Sequence, residues 1–215
     1  MTARIVADDA AGRAAAIEAL RAGAIVALPT DTVYGIAVAL ETKGGIEALF
    51  AAKRRPPEKG IALLLADVAQ APGIGQWPAA AAALAKAFWP GGLTVVVPQR
   101  PDVPLPPAVT GGATTIGLRV PDHAAPRALA AAVGPLPTTS ANVSGLPEAR
   151  TAAEIVEELG DAIALVIDGG SAHGGPPSTV VDCSIERPVL LRGGAIGGEQ
   201  VAAVLDESGI AHDIV

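Results

Sequence analysis

Small polar side chains directly follow a strand-like segment near the start of this 215-residue chain. The segment AIVALP (24–29) is followed by Thr30, Asp31 and Thr32. In open α/β sheets, ligands bind at the carboxyl ends of strands, so these residues form a candidate site. A polar turn requires the same residue types, because Asp and Thr bond to their own backbone. Both interpretations stay open for this group taken alone.

Five further polar clusters follow apolar segments: KRRPPEK, GLRVP, TTSAN, STVVD and LLRGG. If they converge, they form a cleft that combines cations with many neutral hydrogen-bonding groups. Such a cleft suits a polyanion such as a triphosphate, because arginine binds phosphate and carboxylate groups through paired hydrogen bonds. For KRR alone, a solvated helix end stabilised by the helix dipole explains the charges equally well.

The elements that must position these clusters alternate between helix-like and strand-like patterns. Helices are predicted at 8–23, 44–57, 80–92, 123–134, 151–160 and 199–207. Strands are predicted at 24–29, 36–40, 61–67, 93–99, 115–122, the start of 136–145, 164–170, 178–184 and 188–194. With no linker or repeat, the pattern predicts one α/β domain over residues 1–215, with a twisted, mostly mixed open sheet flanked by helices.

Composition restricts the class of protein. Half of the residues are hydrophobic but only 2% are aromatic, so the core must consist of Ala, Val, Leu and Ile. The net charge of -7 argues against a general nucleic-acid scaffold. The single cysteine, Cys183, excludes an internal disulfide and a cysteine zinc cluster. Without a signal-peptide pattern or an apolar run of about 18 residues, we expect a soluble cytoplasmic protein that makes no membrane contact.

The common catalytic signatures are missing from the sequence. It contains no GxxxxGK[ST], no GxGxxG after a strand, no HExxH and no GxSxG motif. The three histidines, His123, His173 and His212, are scattered, which favours surface or capping roles over metal ligation. We therefore expect no metal site built from protein side chains alone.

Taken in order, several segments resemble the YrdC-like family of threonylcarbamoyl-AMP synthases. They are ALPTDTVYG, the Lys53-x-Arg55-Pro56 run, FWPGGLT, GLRVP, TSANVSG, STVVD and LLRGG. Each motif is weak alone, but the ordered set is specific and covers about residues 24–194. Only 23 residues follow Arg192, so the chain is similar to the short, single-domain form and should have the YrdC-like fold.

The resemblance implies an enzyme that joins L-threonine, bicarbonate and ATP into threonylcarbamoyl-adenylate and pyrophosphate, with Mg²⁺ accompanying ATP. Partner proteins then transfer the threonylcarbamoyl group to tRNA. By resemblance, threonine is bound by Thr32, Arg119, Ser140 and Ser178. ATP is bound by Lys53, Arg55, Lys59, Thr115, Asn142, Arg150 and Arg192. Of these, Lys53, Arg55 and Arg192 would stabilise transition-state charge, and no covalent nucleophile is expected.

The sequence departs from the family pattern at two places. Leu64 stands where many relatives have a histidine, and Lys59 with Gly60 replaces the commoner asparagine-proline pair. Three other interpretations stay open: an RNA-binding YrdC-like paralogue with at least weak tRNA contact, a related enzyme that adenylates another carbamoyl or acyl group, and a purely structural α/β domain.

Overall fold

One mixed β-sheet organises the chain. The computed structural model describes residues 3–54, 60–172 and 175–214. The strands within these ranges are β1 (Arg4–Ala7), β2 (Val26–Leu28), β3 (Gly35–Ala37), β4 (Ala62–Leu64), β5 (Leu93–Pro98), β6 (Thr115–Arg119), β7 (Leu136–Ser140), β8 (Leu165–Asp168), β9 (Thr179–Asp182) and β10 (Val189–Arg192). Their order across the sheet is β1-β8-β2-β3-β7-β4-β6-β5-β9-β10.

The sheet is open, with β1 and β10 at its two edges. Strand β8 pairs in parallel with β1 and β2, and the pairs β4–β6 and β5–β9 are also parallel. The other pairs are antiparallel: β2–β3, β3–β7, β4–β7, β5–β6 and β9–β10. The predicted fold class, a single α/β domain with a mixed open sheet flanked by helices, is therefore confirmed.

The helices begin and end close to the predicted signals. They are α1 (Ala10–Arg21), α2 (Gly45–Lys53), α3 (Ala79–Phe88), α4 (Pro107–Thr110), α5 (Ala124–Val133), α6 (Ala152–Leu159) and α7 (Gly198–Glu207). Short 3-10 helices span Val68–Gly73 and Gly160–Ala162. The Asp9 carboxylate accepts a hydrogen bond from Gly12 N at 2.7 Å, which satisfies one of the unpaired N–H groups at the start of α1.

The core lies on both faces of the sheet because side chains alternate along each strand. Val26 of β2 packs in one apolar cluster with Leu20 of α1 and Leu129 of α5. The next residue, Ala27, belongs to the other cluster, together with Leu49 of α2. The sheet is thus buried on both sides, which leaves its strand ends and loops to form a site.

Several predicted boundaries differ from the structure, among them those of β3, α2 and α3. The strand predicted at 36–40 ends at Ala37, because the chain turns where Thr42 N donates to Ala39 O at 3.0 Å. The helix predicted at 44–57 ends at Lys53, and Arg54 has a left-handed φ of 52°. The helix predicted at 80–92 ends at Phe88. Strand β1 was not predicted from the sequence, and the four-residue helix α4 and the two 3-10 helices give no clear periodic signal.

Candidate functional site

A cavity of about 420 Å³ opens where the polar clusters meet. Its wall includes the turn between β2 and β3, the strands β5, β6 and β7, and the segments around β9 and β10. Among the described residues that line it, the charged ones are Arg119, Glu148 and Arg192. The remaining wall is formed by small polar and aliphatic side chains, so the cavity offers few charges and many hydrogen-bonding groups.

Arg119 is held at the cavity by three protein acceptors. Its Nε donates to Gly91 O at 2.9 Å, Nη1 to Thr32 Oγ1 at 3.0 Å, and Nη2 to Asp31 Oδ1 at 2.7 Å. The same Asp31 oxygen accepts from Asp122 N at 3.1 Å. The guanidinium therefore has a fixed orientation, set by the loop that follows β2 and by Gly91, which precedes β5.

Burial lowers the pKa of Arg119, an effect that the neighbouring Asp31 carboxylate opposes and the positive charge of Arg192 reinforces. Only 6% of Arg119 is exposed, yet arginine stays cationic in proteins. Three of its five N–H groups have acceptors among the described residues, and the other two have none there. The buried cation thus retains two donors for an anion, which is the requirement for paired recognition of a carboxylate.

The hydroxyl of Thr32 is arranged as an acceptor. Thr30 Oγ1 donates its hydrogen to Val33 O at 2.6 Å, so its 3.1 Å contact with Thr32 Oγ1 must use the Thr32 hydrogen. Thr32 Oγ1 also accepts from Arg119. Its remaining lone pair can accept from an ammonium or hydroxyl group of a ligand.

Ser178 lies between Thr94 and Arg192. Its hydroxyl is 2.9 Å from Thr94 Oγ1, and both residues are buried. Arg192 Nη2 donates to Ser178 O at 2.7 Å and to Ser178 Oγ at 3.1 Å, and Nε donates to Ser178 O at 3.1 Å. Burial lowers the pKa of Arg192, which the charge of Glu148 counteracts. The cation on β10 is thereby tied to the start of β9.

Two glycines allow these segments to approach one another. A Cβ added at Gly194 would lie 2.2 Å from Pro177 O, and one added at Gly92 would lie 2.6 Å from Ala195 Cβ. Ala195 N donates to Pro177 O at 2.9 Å across the same contact. Larger residues would separate the segments, so the glycines of FWPGGLT and LLRGG bring Arg192 and Ser178 together.

Lys53 forms a buried polar cluster with Ser140 and Asn142. Its Nζ donates to Ser140 O, to Ser140 Oγ at 3.1 Å and to Asn142 Oδ1 at 2.8 Å, and the residue is only 2% exposed. Asn142 Nδ2 donates to Leu146 O at 2.7 Å. The ammonium group therefore stabilises the loop after β7 and connects that loop to the end of α2.

Comparison with known protein families identifies the family of this chain. The model of the Sua5/YciO/YrdC family, described as "Telomere recombination", matches residues 18–194. The chain belongs to this family. The resemblance drawn from the sequence motifs is thus confirmed.

Similar proteins of the Sua5/YciO/YrdC family come from bacteria and archaea. The chain is 39% identical to a threonylcarbamoyl-AMP synthase of Bacillus subtilis over 92% of its own length and 57% of that protein. It is 36% identical to that of Pyrococcus abyssi, over 87% of this chain and 55% of the relative. A putative threonylcarbamoyl-AMP synthase of Mycobacterium tuberculosis is 35% identical, over 90% of this chain and 89% of the relative. The chain thus spans little more than half of the first two relatives.

Solved structures of the Sua5/YciO/YrdC family share the fold. P. abyssi Sua5 complexed with L-threonine has a TM-score of 0.88 and 32% identity, over 99% of this chain and 62% of that one. E. coli YciO has a TM-score of 0.82 and 26% identity, over 93% of this chain and 98% of that one.

The structure brings most of the predicted site residues of this Sua5/YciO/YrdC member to one place. The predicted residues that line the cavity are Thr32, Thr115, Arg119, Ser140, Ser178 and Arg192. Lys53 and Asn142 lie beside Ser140 in the buried cluster. Arg150 is exposed and is not among the described lining residues. Arg55 and Lys59 lie outside the described residues. The ligand assigned to each residue stays a prediction.

Several residues of the cavity were missed from the sequence. Thr94 is a polar residue within the apolar strand LTVVV, a signal that could have identified it. Tyr34 is buried, and its hydroxyl donates to Gly170 O at 2.7 Å. Glu148 gives no signal beyond its place in the loop after β7. Leu64, which replaces the family's commoner histidine, lines the cavity with an apolar side chain.

The histidines and acidic residues that the structure describes form no metal centre. In the described part of the chain, no three His, Cys, Asp or Glu side chains are placed to hold a metal ion. His123 caps α5 by accepting from Ala125 N at 3.2 Å, which confirms the capping role predicted for it. His173 lies outside the described residues. Among the described helices, none is long and apolar enough to cross a membrane.

Proposed function

We propose that this chain is a threonylcarbamoyl-AMP synthase that uses L-threonine, bicarbonate and ATP and releases pyrophosphate. Curated relatives at 36% and 39% identity carry that name. A relative of the same fold has been solved as a complex with L-threonine. These similarities support the reaction and the class of its substrates.

The observation that carries the proposal is the arrangement of Arg119. It is a buried arginine on the cavity wall, fixed by Asp31, Thr32 and Gly91, with two N–H groups that have no acceptor among the described residues. A small carboxylate would satisfy both groups. The neighbouring Thr32 would accept from the ammonium or hydroxyl group of an amino acid, which suits L-threonine better than a simple carboxylic acid.

A second cation, Arg192, makes the same cavity suitable for a nucleotide. We assign it to the triphosphate, together with Arg55, Lys59 and Lys53 from the basic segment and Thr115, Asn142 and Arg150. Arginine and lysine stabilise phosphate charge through charge-assisted hydrogen bonds. Lys53 would act chiefly by fixing the Ser140 and Asn142 loop, because its ammonium group is buried against these residues.

The proposed reaction needs positioning and charge stabilisation rather than a covalent nucleophile. The amine of threonine attacks the carbon of bicarbonate, which forms a carbamate with loss of water. A carbamate oxygen then attacks the α-phosphorus of ATP, and pyrophosphate leaves with the electron pair of the broken P–O bond. Both reactants are anions, so Arg119 and Arg192 would lower the cost of bringing them together. A mixed anhydride hydrolyses readily, so shielding from water protects the product.

Mg²⁺ would enter with ATP. It commonly binds substrate phosphates, one or two carboxylates and several waters rather than a complete cage of side chains. This fits a cavity in which Glu148 is the carboxylate among the described lining residues. When bound, the ion would neutralise charge on the phosphates that leave as pyrophosphate.

The product would be passed to partner proteins that transfer the threonylcarbamoyl group to tRNA, in the cytoplasm. Direct tRNA contact would be weak, because the chain has a net charge of -7. The same fold could instead adenylate another carbamoyl or acyl group, or bind RNA without this chemistry. The test is mass spectrometry of a reaction with ¹³C-bicarbonate. A labelled threonylcarbamoyl-AMP supports the proposal, and a labelled adenylate of another amine or no adenylate contradicts it.

A further inference from the structure

The hydroxyls of Thr94 and Ser178 leave one hydrogen without an acceptor among the residues that the structure describes. The two oxygens are 2.9 Å apart, and no other side-chain acceptor is found for either hydroxyl among the described residues. Arg192 Nη2 is a donor, so its 3.1 Å contact with Ser178 Oγ uses a lone pair rather than the hydrogen. The two hydroxyls therefore have two hydrogens, and only one of these is used in the bond between Thr94 and Ser178. Whichever oxygen donates within the pair, the other hydrogen remains for a ligand.

The remaining hydrogen belongs to residues on the cavity wall, where a bound ligand can accept it. Thr94 is 4% exposed and Ser178 is 7% exposed, and both line the cavity. Along β5, Thr94 and Val96 line the cavity, whereas Val95 and Val97 belong to the core cluster. Thr94 thus lies on the cavity face of its strand. A buried donor without an acceptor is costly, so a bound ligand that accepts from it gains affinity.

We propose that Thr94 is a positioning residue of the amino-acid subsite: it orients the Ser178 hydroxyl, and the pair presents a single hydrogen to the bound amino acid. The proposal rests on the proposed function, in which Ser178 contacts threonine. The Ser178 oxygen also accepts from Arg192 Nη2 at 3.1 Å, so it contacts both the neutral Thr94 hydroxyl and a cation. Nothing in the sequence motifs assigned Thr94 a role.

The test compares Thr94→Val, which keeps the shape of the side chain, with Thr94→Ser, which keeps the hydroxyl. Thr94→Val removes the partner that orients the Ser178 hydroxyl, which should raise the Kd of L-threonine about tenfold. The KM for ATP should change by no more than about twofold, since the hydrogen serves the amino acid. Thr94→Ser should restore threonine affinity to near the wild-type value.

The matched control is Ser208→Ala, because Ser208 is not among the described residues that line the cavity and its hydroxyl donates to Val204 O within α7 at 2.7 Å. This variant should bind L-threonine as the wild type does. If Thr94→Val does not fold, Thr94→Ala compared with Thr94→Ser isolates the same hydroxyl. Thermal unfolding of each variant separates loss of fold from loss of binding.

Calorimetric titration of the wild type with L-threonine separates a test of the role of Thr94 from a test of the proposed function. Wild-type protein that binds L-threonine, with Thr94→Val binding it equally well, overturns only the role of Thr94. Equal weakening by Thr94→Ser and Thr94→Val also overturns it, since the methyl group rather than the hydroxyl would then be responsible. Wild-type protein that neither binds L-threonine nor forms the adenylate contradicts the proposed function and this inference together.

Discussion

The Arg119 guanidinium and the Asp31 carboxylate form an ion pair with a distance of 2.7 Å between Nη2 and Oδ1. The Arg119 side chain is 7% exposed and that of Asp31 is 17% exposed. Burying an unpaired charge is strongly unfavourable, so Asp31 makes it possible to keep a cation at the cavity before any ligand binds. Two N–H groups of Arg119 nevertheless have no acceptor among the described residues and remain for an anion. Asp31 therefore stabilises the buried guanidinium in the folded chain, and the guanidinium can still bind an anionic ligand.

The first prediction concerns Arg119 itself. Arg119→Ala should weaken L-threonine binding by about 2 to 5 kcal/mol, because it removes one side of a buried charged contact. Arg119→Lys keeps the charge beside Asp31 but loses the planar pair of donors, so it should also bind threonine poorly. Its unfolding temperature should be closer to that of the wild type than the unfolding temperature of Arg119→Ala is. Calorimetric titration with L-threonine measures both effects.

Arg187→Ala is the control for this titration. Arg187 is exposed and paired with Asp213 at 2.6 Å, and exposed pairs contribute little. It should bind threonine normally. Near-normal threonine affinity in Arg119→Ala would exclude the carboxylate role.

The second prediction concerns the triphosphate. Arg192→Ala and Arg55→Ala should each raise the KM for ATP much more than the KM for threonine, because each arginine is assigned to phosphate. For Arg192→Ala a smaller effect on threonine is expected as well, since this arginine also donates to Ser178. Steady-state kinetics with one substrate varied at a time measures the difference. Equal effects on both substrates would argue instead for a general defect in folding.

The third prediction is a pH dependence of stability that arises from His123. Burial lowers the pKa of His123 below the usual 6.5, although the Asp8, Asp31 and Asp122 carboxylates oppose this and Arg13 adds to it. The unfolded chain then binds more protons than the folded one near pH 6. Stability should fall as the pH drops below about 6.5, by at most about 1.4 kcal/mol per pH unit for this one group.

The His123→Asn variant tests this assignment. Asparagine is a good N-cap, so it can replace the bond that His123 Nδ1 accepts from Ala125 N. Denaturant unfolding at several values between pH 7 and pH 5 should show a shallower decline in the variant than in the wild type. Identical slopes would mean that His123 does not contribute to the pH dependence.

The sequence predicted the fold class and several of the polar residues that line the cavity, because both depend on local patterns. Apolar segments between turn residues predicted the strands, and the polar residues directly after them, such as Thr32, Arg119 and Ser140, line the cavity. Thr151 and Glu154, three positions apart before an apolar run, form a sequence pattern typical of a capping box. Thr151 does cap α6, by accepting from Glu154 N at 3.2 Å. The second half of that capping box differs, since Glu154 accepts from Arg150 N rather than from Thr151 N.

Features that depend on contacts between distant segments could not be predicted in this way. The burial of Lys53 follows from the position of Asn142, which is 89 residues away. The pairing of Thr94 with Ser178 joins residues 84 positions apart. From the sequence alone, a charged residue at the end of a helix and a threonine inside a strand each have several explanations. Only the folded structure shows which contacts these residues make.

Pyrophosphate release is the most direct measurement of the central claim. The purified chain, mixed with ATP, Mg²⁺, bicarbonate and L-threonine, should release pyrophosphate in the absence of any RNA, because adenylation precedes transfer. Omitting threonine should stop the release, and serine should be a poorer substrate because one methyl group in an apolar niche is worth about 1 to 3 kcal/mol. Pyrophosphate that forms equally without an amino acid, or only after RNA is added, would contradict the account.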